Sequence, residues 1–259
     1  MSRLIRLLSG AAAGAVLAGA TVTPAFASGT GQTPRPTLVP RPAVTAGTAS
    51  APACRPFTAQ RQRAHTDVAM RLTTLDQLTT TIIAAGDPYG VNGGQRAALG
   101  DARTGLVALD EKIQTGCYTD RTALDADTRT IFTGYRVYWL RVPQTHILEA
   151  ADRLGAARQT LGASAAKLAG LVGDNAKAKA DLAAMNDALA NADAHVGNPP
   201  ALGGSVGAVP ALAPAVDMTA DVAALKAARR DLEAARKALD TARRDALRVV
   251  ADLGANPSA

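Results

Sequence analysis

The chain has 259 residues, with 28 basic and 22 acidic side chains and a formal charge of +6; it is 47% hydrophobic but only 3% aromatic, so its apolar side chains are mainly aliphatic. The field of so mild a charge excess decays within about 8 Å at physiological ionic strength, which permits contact with an anionic polymer or head group without requiring it. Two cysteines far apart in sequence exclude a paired-thiol redox centre.

The chain opens with MSRLIRLLSG, continues through the uncharged AAAGAVLAGATV and reaches TPAFAS, with small residues at Ala25 and Ala27. This order describes a secretory signal over 1–27, cut after Ala27. The apolar run is too short and glycine-rich for a membrane span. No cysteine comes after it where a lipid anchor needs one, and the C-terminal DLGANPSA carries no hydrophobic tail or wall-sorting signal. The mature chain is expected to be secreted or extracytoplasmic, and wall association is compatible with it. Loss of Arg3 and Arg6 leaves 26 basic against 22 acidic residues, a mature charge of +4. Residues 28–53 mix threonine, proline and alanine with two arginines and offer little to bury, which predicts a disordered tether.

From Phe57 onward the pattern is helical. Val68, Leu72, Leu75, Leu78 and Ile82 share a face and predict a helix over 58–85, stopped by Gly86-Asp87-Pro88. After the breaker-rich GDPYGVNGG, Leu99, Ala102, Leu106, Leu109 and Ile113 predict a second helix over 95–115, with Gly116 as its C-terminal cap. An antiparallel hairpin of these helices brings Cys54 beside Cys117, and in an exported chain the pair is expected as one disulfide. A third segment, capped by Thr119 or Asp120, is predicted to run to about 172, with a kink where Pro143 removes a backbone hydrogen bond. Within it Ile147, Leu154, Leu161 and Leu168 repeat every seven residues. A fourth helix comes after Gly173-Asp174 and ends at Val196, carrying Ala178, Leu182, Met185, Leu189, Ala192 and Val196.

Residues 197–216, with four prolines, predict a long flexible loop. The last helix, 219–253, places Leu225, Leu232, Leu239, Ala246 and Leu253 on one seam and Ala228, Ala235, Ala242 and Val249 on the other. A sustained period of seven implies coiled-coil-like packing. The expected fold is an all-α, elongated antiparallel bundle of about five helices. An N-terminal group over 54–143 holds the disulfide, a C-terminal group spans 144–253, and 254–259 form a tail.

Candidate chemistry is sparse. His146 and Glu149 have the spacing of half a carboxylate-bridged metal site, but no second His–Glu pair exists, so no metal or other cofactor is expected. No serine elbow and no phosphate-binding glycine loop between strand and helix is present, and the reading leans away from an enzyme. Arg229, Arg230, Arg236, Lys237, Arg243 and Arg244 bunch at heptad intervals on the last helix and are candidate polyanion contacts. Glu233 before Lys237 and Asp240 before Arg244, each at a separation of four, favour a solvated face laced with ion pairs, and Asp231, Asp245 and Asp252 add to the neutralisation. No specific nucleic-acid contact is expected.

The densest stretch is GYRVYWLRVPQTH, 134–146. Read as a helix, Phe132, Tyr135, Trp139, Val142 and His146 fall on one side, widened by Ile131 and Tyr138. That stripe is expected to be a buried aromatic knot beside the kink; the alternative is an exposed binding patch. Arg136, Tyr138, Arg141 and His146 are the candidate interaction residues there.

The same region carries a resemblance. RAALGDARTGLVALDEKI and DRTALDADTRTIFTGYRVYWLRVPQTHILEAADRL resemble a family of secreted, all-helical actinobacterial proteins of unassigned function, marked mid-chain by an RVY tripeptide and a V-P-x-x-H step. Here these are Arg136, Val137, Tyr138 and Val142, Pro143, His146. The likeness covers residues 95–172, and the closing alanine–arginine helix is similar in style. It implies export and helical architecture and brings no catalytic residue. The expectation for function is a secreted, non-enzymatic bundle with a structural or interaction role at the envelope, its partner an envelope protein, an anionic wall polymer or itself. The alternatives are a ligand or catalytic site around Arg136–His146 and polyanion binding by the last helix.

Overall fold

The computed structural model describes residues 54–214 and 218–255. The expected signal, the tether and all of the tail but Gly254 and Ala255 lie outside the described residues. Within these, six α-helices and no strand occur: α1 Thr58–Ala85, α2 Asn92–Thr115, α3 Arg121–Thr133, α4 Val142–Ala169, α5 Ala176–Val196 and α6 Met218–Ala255. A π-helical turn, Val137–Arg141, precedes α4, and a 3-10 helix, Gly204–Ala211, lies between α5 and α6. The protein is all-α.

Helices α1 and α2 run antiparallel, because Arg61 meets Gln114 and Gly116, His65 meets Asp110, and Asp76 meets Arg103. Between them lies an apolar core of Val68, Leu75, Leu78 and Ile82 against Leu99, Leu106 and Ile113, closed by Leu124 and Ile131 of α3. Each such side chain contributes about 1.5–3 kcal/mol by leaving water. Cys54 and Cys117 are disulfide-bonded at the open end of this hairpin. Beside the bridge, Arg55 N–H donates to the Tyr118 carbonyl (3.0 Å), and the Arg61 guanidinium donates to Gln114 O (2.6 Å) and Gly116 O (2.7 Å). Gly116 ends α2 in an extended conformation (φ −62°, ψ 146°) rather than the left-handed one that a glycine cap suggests. A Cβ there would lie 2.5 Å from the Lys112 carbonyl and 3.2 Å from the Tyr118 ring, so glycine answers to close approach. Asp120 caps α3, its carboxylate accepting from Ala123 N–H at 3.0 Å.

The sequence places one helix over 120–172 with a kink at Pro143. The structure breaks it earlier: α3 stops at Thr133, and Arg136 takes a left-handed conformation (φ 45°, ψ 41°). Pro143 sits in the first turn of α4, directly after the π turn, in which Val142 N–H donates to Val137 O. The break is held by neighbours. Tyr135 packs its ring directly on the α2 backbone at Gly105, where a Cβ would come within 2.6 Å of the ring. Arg136 is buried, donates to Thr133 O at 3.0 Å and lies 3.8 Å from Asp221 of α6.

A second apolar core joins α4, α5 and α6: Ile147, Leu148, Leu154 and Leu168, then Leu182, Met185 and Leu189, then Leu225, Leu239 and Val249. Helices α5 and α6 are antiparallel, since Asn175 and Lys177 reach Asp252 while His195 reaches Asp231. Alanines 228, 235, 242 and 246 of the heptad seams are all buried. Between the two cores runs a polar seam from α2 to α4, in which Asn92 donates to Asp152 (2.9 Å) and Gln95 to Thr145 (3.1 Å).

Residues 204–211, expected within a flexible loop, are folded. Val206 and Val209, three apart on a 3-10 helix, are fully buried against the second core. Gln144, itself fully buried, ties the segment down by donating to Val209 O (2.8 Å) and Leu212 O (3.2 Å), while its carbonyl accepts from Arg141 at 3.0 Å. Gln144→Leu keeps the volume but leaves these groups unpaired in the interior. It is expected to lower the unfolding free energy by about 2–4 kcal/mol, read by urea denaturation. A loss below about 0.5 kcal/mol would mean that water replaces the bonds.

Candidate interaction surface

The break at Gly134–Arg136 decides which aromatic side chains face water. Along one continuous helix, Phe132, Tyr135, Trp139 and Val142 would form a single stripe. The left-handed Arg136 and the wider π turn re-aim the next side chains, so Val137, Leu140 and Arg141 point inward while Tyr138 and Trp139 point out. Trp139 is 67% exposed, Tyr138 46%, Phe132 43% and Met70 of α1 50%. The expected buried aromatic knot is therefore corrected: of its residues only Ile131 is buried, Tyr135 and Val142 are part-buried, and Phe132, Tyr138, Trp139 and His146 lie at the surface, while Val137 and Leu140 take the inward positions.

Arg71 organises this face. It lies on the α1 core stripe, three residues after Val68 and four before Leu75, and is 6% exposed. Its guanidinium sits 4.3 Å from the centre of the Phe132 ring and 5.1 Å from that of Tyr138, while it donates to Asp67 O at 2.8 Å. Such cation–π contacts contribute about 0.5–2 kcal/mol each and fix ring orientation. The Tyr138 hydroxyl lies 3.5 Å from Thr74 Oγ1, one helical turn from Met70. The result is a pair of exposed rings, Phe132 and Tyr138, pre-ordered around a buried cation, with Met70 and Trp139 exposed next to Arg71 and Tyr138 in sequence. Tyr, Trp and Arg are the side chains enriched at the energetic centres of protein interfaces.

The four candidate residues of 134–146 do not converge. Arg136 and Arg141 are buried and bonded to Thr133 O and Gln144, and burial pulls the Arg141 pKa below its ordinary value, with Asp101 opposing. His146 is exposed, 3.3 Å from Glu149, which also holds Arg153 at 2.5 Å. Tyr138 alone joins the aromatic face. Among the described residues no three His, Cys, Asp or Glu side chains are grouped to hold a metal ion, and no helix is long and apolar enough to cross a membrane.

Arg229, Arg230, Arg236, Lys237, Arg243 and Arg244 all stand exposed on α6. Lys237 pairs with Glu233 at 2.8 Å as the spacing predicts, but Arg244 donates to Thr241 (3.0 Å) in place of an ion pair with Asp240. The sequence reading missed Met70 and Arg71. The signal was present: the three–four spacing of α1 runs through Arg71 rather than Leu72, and a charged residue on a core stripe asks for a partner. Comparison with protein-family models, with curated proteins and with solved structures gave no match.

Proposed function

We propose that this chain is an exported, non-enzymatic helical protein that recognises another protein at the cell envelope through the face of Met70, Arg71, Phe132, Tyr138 and Trp139. The observation that carries the reading is that Phe132 and Tyr138, both exposed, are held by the buried Arg71 guanidinium, while Met70 and Trp139, the sequence neighbours of Arg71 and Tyr138, are exposed as well. Isolated exposed apolar residues are ordinary, whereas a pre-ordered cluster has low ordering entropy to lose on binding. The signal-like N-terminus, the disulfide and the resemblance to secreted helical proteins accord with export.

Trp139 is the only tryptophan, so its fluorescence reports this face alone. The test is capture from an envelope extract by the mature chain and by Trp139→Ala and Tyr138→Ala, followed by titration of the captured protein against Trp139 emission. A blue shift on binding is expected, and Trp139→Ala should weaken capture by roughly thirty-fold, a hot-spot loss of about 2 kcal/mol, at an unchanged melting temperature. Equal capture by wild type and variants overturns the reading. So does a wild-type dimer that Trp139→Ala dissolves, which would assign the face to self-association.

A further inference from the structure

Five acids interleave the basic residues of α6 or come just after them, and on sequence alone they neutralise the stripe. The fold removes three of the five from the outer face. Asp231 accepts from Ser205 N–H at 2.6 Å and faces His195 at 3.0 Å. Asp245 is 3% exposed and accepts from Arg248 at 2.8 Å. Asp252 accepts from Lys177 of α5 at 2.7 Å. What remains outward over 226–248 is Lys226, Arg229, Arg230, Arg236, Lys237, Arg243, Arg244 and Arg248, all exposed, against Glu233 and the part-buried Asp240. Of these eight cations Arg248 is paired with Asp245 and Lys237 with Glu233, which leaves six facing the part-buried Asp240.

The arrangement is linear. Arg229, Arg236 and Arg243 recur every seven residues, about 10.5 Å apart along the axis, with Arg230, Lys237 and Arg244 in a parallel row. None of Arg229, Arg236 and Arg243 has a carboxylate within ion-pair distance among the described residues. Lys237, Asp240, Thr241, Arg243, Arg244 and the exposed Leu247 frame an open depression along the rows, with Asp240 its one carboxylate. From these observations we infer that the outer face of α6 binds a flexible, linear phosphate-bearing polyanion.

A strip about 21 Å long and one helix wide, from Arg229 to Arg243, matches a single polymer chain better than a plane. A lipid surface fits less well, because the apolar seam of α6 is buried and Leu247 is its one large apolar side chain with high exposure. Insertion of α6 into a duplex groove is hindered by α4 and α5, which cover its other side. Arginine predominates over lysine, and its planar fork suits phosphate oxygens. This site is separate from the aromatic face and does not depend on it.

The experiment uses the mature chain with inorganic polyphosphate as probe, across a salt series. With about six phosphate contacts the slope of log K against log salt is expected near −4, and Arg229→Gln/Arg236→Gln/Arg243→Gln should halve it and weaken binding at least thirty-fold. The same three positions changed to lysine should lose only a small part of the affinity. The control, Arg63→Gln/Arg96→Gln/Arg129→Gln, removes equal charge from exposed sites on α1, α2 and α3. An equal loss in the control, which would show bulk charge attraction, overturns the assignment. Tighter binding to phosphatidylglycerol vesicles or duplex DNA than to polyphosphate overturns the polymer class. Circular dichroism checks folding, and if the triple variant unfolds, Arg243→Gln/Arg244→Gln answers the same question.

Discussion

Removing the Cys54–Cys117 bridge, by reduction or as Cys54→Ser/Cys117→Ser, is expected to lower the unfolding free energy by about 4 kcal/mol, because the bridge closes a long loop in the unfolded chain. At this chain length that corresponds to a fall in melting temperature of roughly 10 °C. The local structure says where the loss appears. Helix α1 starts from Phe57, which adopts a left-handed conformation (φ 34°) with no side-chain cap, so little of its own sequence secures the first turn. The bridge, the Arg55–Tyr118 backbone bond and the Arg61 bonds to the end of α2 do that instead. Arg61 also lies 5.2 Å from the centre of the Tyr118 ring, and burial, then a hydrogen bond to Asp127, pushes the Tyr118 hydroxyl to about 12. Reduced protein should show faster amide exchange over 55–65 and 114–118, with α5 and α6 unchanged. Arg61→Gln should give a smaller loss, about 1–2 kcal/mol, with the same exchange pattern. Equal melting of oxidised and reduced protein would show that packing of α1 on α2 already suffices.

Much of this architecture is written as spacing. The stripe from Val68 to Ile82 marks α1 from Thr58 to Ala85, and the heptads mark the buried seams of α6. Polar residues on the same spacing are legible too, although their chemistry disguises them. Asn92 and Gln95 extend the three–four series of Leu99, Ala102 and Leu106 backwards, which is why α2 begins at Asn92, before the start at 95 expected from the apolar pattern. Asp245 fills a core position between Ala242 and Val249. The break before α4 is a different matter. Proline in the first turn of a helix and proline kinking a longer one look alike along the chain. The choice is made by contacts distant in sequence, Tyr135 on Gly105 and Arg136 beside Asp221. Once the break moved, the aromatic stripe inferred from an unbroken helix came apart, and Trp139 went to the surface. The folding of 204–211 likewise depends on Gln144, far back along the chain on α4, and the inward turn of Asp231 on Ser205 and His195.

Asp152 should contribute more stability in mild acid than at neutral pH. It is fully buried on α4; one carboxylate oxygen accepts from Asn92 at 2.9 Å, and the other has no hydrogen-bond partner among the described residues. Burial lifts its pKa to about 6, with the Asn92 bond opposing and the nearby Asp87 adding. In the unfolded chain the group titrates near 3.9. Because the folded value is the higher one, the fold holds the proton more tightly. The stabilisation is complete below the unfolded value and is lost as pH rises through about 6. Two units correspond to at most about 3 kcal/mol, and relaxation around the carboxylate makes about 2 kcal/mol the expected size. Carboxylates with lowered values, Asp127 beside Lys112 and Tyr118 and Asp231 beside Ser205 and His195, act in the opposite sense and mainly below pH 4, so the windows separate. Asp152→Asn keeps the shape and removes the charge. It is expected to exceed wild type by about 2 kcal/mol at pH 7 and to approach it as pH falls towards 4, in urea denaturation at each pH. A carboxyl titration monitored by NMR should place the wild-type midpoint near 6. If the two proteins keep a constant difference from pH 4 to pH 7, Asp152 is not the buried charge that sets this slope, and water must reach the oxygen that now stands alone.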